Sequence, residues 1–133
     1  CYDHMAGTLA VRVHDAMLAR QWLAADGRDY VLTPLGEASL AQVGVDVAQA
    51  RQRRRRFACP CLDWSERRSH LGGALGAALL EALLRRGWVD KDLDSRALSV
   101  TRKGARQFPA FFGMPGEAAA DAVDWNLTGG HAA

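Results

Sequence analysis

The hydrophobic pattern of the chain contains the same helical stripe twice. Apolar residues recur every four positions in segments 4–23 and 70–89, a spacing that places them along one face of a helix. The two stripes are Met5, Leu9, Val13 and Met17, then Leu71, Leu75, Leu79 and Leu83. Seven of the twenty paired positions are identical, among them His4 and His70. The pattern predicts two long helices, each with a face to bury, and an internal duplication.

Small residues lie between the apolar positions of both segments. They are Ala6, Gly7 and Ala10 in the first copy, and Gly72, Gly73, Gly76 and Ala77 in the second. Because glycine costs a helix about 1 kcal/mol relative to alanine, close packing or a turn must compensate for it. We therefore expect another backbone to approach these faces, and the two copies to face each other through them.

Each predicted helix is followed by a short ribbon and a second helix. The first ribbon pairs 22–25 with 29–32 around an Asp-Gly turn, and the second pairs 88–91 with 96–100 around a loop near Ser95. Thr33 and Thr101 begin Thr-x-x-Gly segments and are expected to cap the next helices. Helix, two-stranded wing and helix is the order of a winged-helix unit. The predicted fold is mainly α with small β-ribbons, an α+β class, in which two winged-helix-like repeats pack about a pseudo-twofold axis.

The chain divides into four predicted regions. These are a first winged-helix-like repeat over 1–43, a basic linker helix within 44–60, a second repeat over 61–108 and a C-terminal extension over 109–133. The linker helix is expected to run from Val45 to Ala58 and to end at Pro60. Asp63 and Glu66 have the spacing of a capping box, which predicts a short helix from Trp64 toward His70. Regularity is expected to break from Phe108 onward, with one more helix over 117–125.

The composition and the cysteine count predict a globular protein in a reducing compartment. Apolar residues make up 49% of the sequence, yet no apolar run approaches the roughly 20 residues of a membrane helix. No signal-peptide pattern opens the chain. It begins at Cys1 rather than methionine, which suggests a piece of a longer protein. The odd count of three cysteines favours reduced thiols in the cytoplasm.

Two unusual strings resemble a known group of regulators. Cys-Tyr-Asp-His-x-Ala-Gly opens the chain, and Cys-Leu-Asp-Trp-Ser-Glu-Arg-Arg-x-His-Leu-x-Gly begins at Cys61, after an arginine-rich joint. The order resembles the C-terminal region of bacterial transcriptional regulators related to the ArsR family, over about residues 1–105. The resemblance implies a homodimeric regulator of which this chain is the accessory half, for dimerisation or effector sensing. It also implies that DNA is read by an N-terminal winged helix-turn-helix domain absent from this sequence.

The net charge of +2 says little about nucleic acid, but the arginines are concentrated in one place. The two long helices begin with Met5-Ala-Gly-Thr and Leu71-Gly-Gly-Ala, which offer almost nothing to a base edge. The candidate nucleic-acid-binding residues are Arg51, Arg53, Arg54, Arg55 and Arg56. They are expected either to contact phosphates or, as is commoner for charge runs, to form a solvated helix paired with Asp46, Asp63 and Glu66.

Cysteines and histidines provide a candidate metal site. Its predicted ligands are Cys1, His4, Cys61 and His70, because thiolate and imidazole are chosen by zinc and other thiophilic metals. With Cys59 included, three thiols would also suit a trivalent arsenical. No Cys-x-x-Cys or His-x-x-x-His spacing occurs. The alternative is that Cys61 is a small core residue and that the two histidines brace helix starts. A metal site would make the chain a stand-alone metal- or thiol-reactive sensor.

No catalytic constellation is predicted. The sequence lacks a nucleophile elbow and a phosphate-binding glycine loop, and Asp3 and Asp63 are expected to be helix N-caps. We therefore do not predict an enzyme. A small effector could bind between the repeats, in a pocket lined by Trp22, Trp64, Trp88 and Tyr30. No membrane partner is expected.

Overall fold

The structure is a computed structural model, and it describes residues 3–92, 98–114 and 126–127. Within these ranges the chain forms five helices, which are α1 (Thr8–Ala19), α2 (Pro34–Ala41), α3 (Val47–Gln52), α4 (Gly73–Arg85) and α5 (Arg102–Phe112). None of the helices in the described ranges has the length and apolar content needed to cross a membrane.

Seven short strands form three small antiparallel sheets in the described residues. The strands are β1 (Leu23–Asp26), β2 (Asp29–Leu32), β3 (Cys59–Asp63), β4 (Arg68–Gly72), β5 (Val89–Lys91), β6 (Leu98–Val100) and β7 (Asn126–Leu127). β1 pairs with β2, β3 pairs with β4, and β6 lies between β5 and β7. The predicted α+β class with small ribbons is confirmed.

The element order helix, ribbon, helix occurs twice, with the same local hydrogen bonds. Thr33 Oγ1 accepts the Gly36 N–H at 3.0 Å, and Thr101 Oγ1 accepts the Gly104 N–H at 2.9 Å. Both threonines are helix N-caps, as predicted. This agreement concerns local structure, and the packing of two repeats about a pseudo-twofold axis stays a prediction.

Both predicted stripes belong to the core. The side chains of all eight stripe residues are buried. Helix α5 closes the core with an aromatic cluster, in which Trp22 contacts Phe111 and Phe112 while Trp88 contacts Phe108 and Phe111. These ring contacts join the two ribbon regions into one hydrophobic core.

The first turn of α4 lies against a segment that the sequence analysis did not single out. α4 begins at Gly73, whose φ is +81°, and the Ala74 and Leu75 N–H groups donate to Arg56 O and Phe57 O at 2.9 and 2.7 Å. The approaching backbone is therefore the segment before β3, which caps the start of α4. Helix α1 lies mainly against β4. Ala10 of the first copy and Gly76 of the second line one small void, and the facing of the two copies through their small residues stays a prediction.

Two predicted helices have a different structure. Segment 64–70 is the turn and second strand of the β3–β4 hairpin, because the Asp63 side chain accepts the Ser65 and Glu66 N–H groups in a turn rather than at a helix start. The linker helix is limited to α3, and Pro60 lies inside β3. Like charges four residues apart disfavour a longer helix, and Ala58 O instead accepts the Tyr30 N–H of β2 at 2.9 Å.

The end of the second repeat also differs from its prediction. Helix α5 continues through Phe108 and Pro109 to Phe112 and is terminated by Gly113, whose φ is +71°. The long helices begin at Thr8 and Gly73, so Met5 and Leu71 precede them. The predicted turn near Ser95 and the predicted helix over 117–125 lie outside the described residues.

Candidate metal centre

Three predicted ligands come from three different segments. His4 lies just before α1, Cys61 is at the centre of β3, and His70 is in β4. Cys61 and His70 are directly opposite each other in the antiparallel register. Residues in such a pair project from the same face of the ribbon, and here that face is covered by α1.

The three side chains meet at one point. His4 Nε2 lies 3.1 Å from His70 Nε2, and the ligand atoms of His4, Cys61 and His70 all lie within 4.8 Å of one another. His70 is 0% exposed and His4 is also buried, while Cys61 is half-buried. Thiolate and imidazole are the donors that zinc prefers.

Of the other two thiols, only Cys59 lies in the described residues. Cys1 lies outside the described residues, and Cys59 is buried on the same strand without joining the group. Among the described residues the cluster therefore has a single thiol. A three-thiol arsenical site is not formed by these residues.

Each histidine is held by a carboxylate on its other ring nitrogen. His70 Nδ1 lies 3.0 Å from Asp63 Oδ2, and His4 Nδ1 lies 3.3 Å from Asp3 Oδ1. Asp63 is 1% exposed and also accepts the N–H of Gly7 at 2.6 Å. The Asp63 and Asp3 side chains thus hold the rings rather than capping helices that follow them. Sequence reasoning missed this role because it depends on the β3–β4 pairing.

Burial governs the protonation of the cluster. Desolvation lowers the pKa of His4 and of His70 below the usual value, against the opposing effect of their carboxylate neighbours. Burial raises the pKa of the Cys61 thiol. Burial alone would raise the pKa of Asp63, but hydrogen bonds from Ser65, Gly7 and Glu66 outweigh it and leave that pKa lowered.

Two glycines of β4 and α4 provide the space that His4 occupies. A Cβ atom on Gly72 would lie 3.1 Å from Cys61 Cβ and 3.5 Å from His4 Cε1. A Cβ atom on Gly76 would lie 3.2 Å from His4 Cβ and 2.7 Å from Leu71 O. The small residues that were expected to admit another backbone therefore also admit a histidine side chain.

The arginine run is not one helical face. Only Arg51 lies within α3, and Arg53 is its C-cap. Arg51, Arg55 and Arg56 pair with Glu37, Asp3 and Asp29, respectively.

The partners expected for the arginines bind other groups instead. Asp46 accepts the Gln49 N–H, Asp63 contacts His70, and Glu66 accepts the Thr8 hydroxyl. Arg53 and Arg54 are exposed and form no ion pair within the described part of the chain. A nucleic-acid contact by these arginines stays a prediction.

The aromatic residues proposed for an effector pocket do not surround a common space. Trp22 and Trp88 are buried in the phenylalanine cluster, Trp64 is 75% exposed, and the Tyr30 hydroxyl lies 2.7 Å from His14 Nε2. The void between the N-terminal segments and α4 is only about 10 Å³, and it is lined by Met5, Ala10, Val13, Leu71, Gly76 and Leu79. A larger polar cleft of about 290 Å³ lies between α3 and α4.

Comparison with known proteins connects the chain to one functional class. A protein that it matches is named as a helix-turn-helix transcriptional regulator. This relative is the uncharacterized HTH-type transcriptional regulator YdfF of Bacillus subtilis (strain 168), 36% identical over 108 residues. The match covers 81% of this chain and 48% of the relative, so the chain spans about half the length of the relative. No protein-family model and no solved structure matches the chain.

Proposed function

We propose that this chain is the accessory region of an ArsR-like transcriptional regulator, acting in the cytoplasm. In this role it supplies homodimer contacts and senses an effector, while a winged-helix domain outside this sequence reads DNA. The relative is an HTH-type regulator of about twice the matched length, and the strings at 1–7 and 61–73 resemble the C-terminal region of that family. An enzymatic role is not proposed.

The main support for this proposal is that α1 and α4, the helices before the two ribbons, are largely buried. In a winged-helix domain the corresponding helix enters the major groove and needs exposed polar side chains there. Helix α1 exposes only Arg12 and Ala19, and α4 exposes only Glu81 and Arg85. The rest of each helix is buried or half-buried. In the described residues, α1 and α4 keep the order of a winged-helix unit without exposing the polar side chains that could read bases.

Selection from random-sequence DNA duplexes tests the proposal directly. The isolated chain is expected to enrich no sequence, because base-edge contacts are what confer sequence preference. Light scattering on the same sample is expected to give twice the mass of 14.4 kDa. Reproducible enrichment of one motif by the isolated chain would assign the DNA-reading role to this region instead.

A stand-alone metal- or thiol-reactive sensor is the second candidate, and the His4, Cys61 and His70 cluster favours it. The two candidates differ in the size of the natural protein. Intact mass spectrometry of the protein isolated from its own cells separates them. A mass near 14.4 kDa supports the stand-alone sensor, and a mass about twice as large supports the accessory region.

A further inference from the structure

We propose that His4, Cys61 and His70 bind one thiophilic divalent metal ion, with Zn²⁺ as the reference ligand, through both Nε2 atoms and the thiolate. Three protein ligands leave the fourth tetrahedral position for a further donor. The proposed ion would be the effector that the accessory region senses. Metal binding itself is independent of the proposed function, and only its regulatory meaning rests on that function.

A count of hydrogens at the histidine pair shows why a cation belongs there. The two rings make three polar contacts in series, from Asp3 to His4, from His4 to His70 and from His70 to Asp63. Two neutral imidazoles have only two N–H hydrogens between them. One of the three contacts therefore places two lone pairs face to face in a buried site, which is unfavourable. With both hydrogens directed at the carboxylates, both Nε2 atoms are left to bind a cation.

The distances are those of a nearly assembled tetrahedral site. Zn–N bonds of about 2.0–2.1 Å at a tetrahedral angle separate two nitrogens by roughly 3.3 Å, and the two Nε2 atoms are 3.1 Å apart. The Cys61 sulfur lies within 4.8 Å of a ring nitrogen of each histidine. Binding requires the Cys61 sulfur to lie at the Zn–S distance of about 2.3 Å from the ion, which a rotation of the Cys61 side chain would provide.

The carboxylates beside the two histidines are placed as they are in metal sites with histidine ligands. Metal ligands of this type commonly donate their other ring N–H to a carboxylate, which fixes the ring and raises its basicity. Asp63 does this for His70 and Asp3 does it for His4. Charge also balances, because a divalent ion offsets the Cys61 thiolate and the buried Asp63 carboxylate, while Asp3 already pairs with Arg55.

The donor set and the available space restrict the ligand class. Nitrogen and sulfur donors select zinc and the later transition metals, whereas Mg²⁺ and Ca²⁺ require oxygen ligands. The void of about 10 Å³ beside His4, lined by Met5, Gly76 and their neighbours, is far smaller than the roughly 300 Å³ of a small-molecule pocket. An organic effector therefore does not fit in this void.

Titration of the purified 133-residue chain with Co²⁺, a spectroscopic probe for zinc sites, tests the proposal. We expect one ion per chain, tetrahedral d–d absorption, a thiolate-to-cobalt charge-transfer band and displacement of Co²⁺ by Zn²⁺. Cys61→Ser should abolish the charge-transfer band and weaken binding at least about tenfold. Cys59→Ser is the matched control, because Cys59 is buried on the same strand outside the cluster, and it should keep the band.

A second measurement guards against a folding defect in the variants. Zn²⁺ at about 100 times its Kd should raise the melting temperature of the wild-type chain by at least about 5 °C, and His4→Gln should remove this shift. If the wild-type chain showed neither the charge-transfer band nor the rise in melting temperature, the proposal would be overturned. The contact between His4 and His70 would then be explained by a shared proton alone. A band lost in Cys59→Ser but kept in Cys61→Ser would overturn the ligand assignment. Neither result affects the DNA selection and light-scattering tests of the proposed function.

Discussion

At the scale of single residues, Asp63 joins three parts of the molecule through one carboxylate. One oxygen accepts the Ser65 and Glu66 N–H groups in the hairpin turn. The other oxygen accepts from Gly7, just before α1, and from His70. A buried carboxylate with this many donors is stabilised in its ionised form. The same residue therefore shapes the hairpin, anchors α1 and orients the ring of His70, a ligand in the proposed metal site.

Asp63→Asn should weaken metal binding and stability together. An asparagine cannot accept at both positions, so its amide group would face either the N–H groups of Gly7 and His70 or those of Ser65 and Glu66. We expect a loss of metal affinity of about 10–100-fold and a loss of about 2–3 kcal/mol in the free energy of unfolding. Cobalt titration and urea denaturation measure the two effects. Glu66→Gln, in the same turn, is the control and should leave the metal affinity unchanged.

The metal-free chain should lose stability as the solution becomes mildly acidic. The pKa values of His4 and His70 are lowered in the folded state, so the unfolded chain takes up protons first as pH falls below about 6.5. The contribution of the two histidines to the free energy of unfolding is therefore complete above about pH 6.5 and is lost as the pH falls toward their folded-state pKa values. Urea midpoints in the presence of a chelator measure this. His4→Gln should flatten the dependence, and an unchanged slope would contradict the assignment.

At the scale of elements, the Thr-x-x-Gly segments place each helix start against a tryptophan carbonyl. The Thr33 N–H donates to Trp22 O at 2.9 Å, and the Thr101 N–H donates to Trp88 O at 3.0 Å. A Cβ atom on Gly36 or Gly104 would overlap the same carbonyl oxygens. Glycine is needed here for space rather than for an unusual backbone angle.

Gly36→Ala and Gly104→Ala should each lower the free energy of unfolding by about 1–3 kcal/mol, because the backbone must shift to admit the methyl group. Gly27→Ala is a matched comparison, since nothing lies within 4 Å of its Cβ position and only its φ of +62° opposes alanine. Its cost should be about 1 kcal/mol. Thermal unfolding of the three variants provides the test, and equal losses in all three would contradict the packing explanation.

The C-terminal ends of α1 and α4 differ at one corresponding position. The Trp22 and Trp88 N–H groups donate back to Met17 O and Leu83 O in the same motif, and the preceding residue is left-handed in both cases. That residue is Gly87 after α4 but Gln21 after α1, with φ of 72° and 62°. Gln21→Gly should raise the free energy of unfolding by about 1 kcal/mol, measured by urea denaturation, and Gly87→Gln should lower it similarly.

The sequence patterns correctly predicted the elements that depend on interactions between residues close together in the chain. Threonine caps, the Asp-Gly turn and the two apolar stripes act within a few residues, and the structure has each of them. The hairpin at 59–72 was missed because Asp63 can accept the same N–H groups in a turn or at a helix start. The contact of His4 with His70 depends on the β3–β4 register and on the space at Gly72 and Gly76. The sequence analysis named His4, Cys61 and His70 as ligands from their residue types, but the spacing within one segment does not show how the fold brings them together.

At the scale of the whole molecule, the metal cluster is connected to the arginine-rich segment. Asp3 accepts from His4 with one oxygen and pairs with Arg55 through the other. Arg56 forms a comparable pair with Asp29, which has no contact with the cluster. A divalent ion that displaces one thiol proton adds one net positive charge beside Asp3. This charge draws the carboxylate toward His4 and leaves Arg55 more available to an anion.

Metal binding should therefore increase the affinity of the chain for double-stranded DNA without conferring sequence preference. We expect about a fivefold increase on adding Zn²⁺, which weakens as salt rises from about 50 to 200 mM because phosphate contacts are involved. Asp3→Ala should raise the affinity of the metal-free chain and abolish the response to Zn²⁺. Asp29→Ala, which releases Arg56, should raise the affinity but keep the response. Fluorescence anisotropy with a labelled duplex measures all three proteins, and a response retained in Asp3→Ala would exclude this connection.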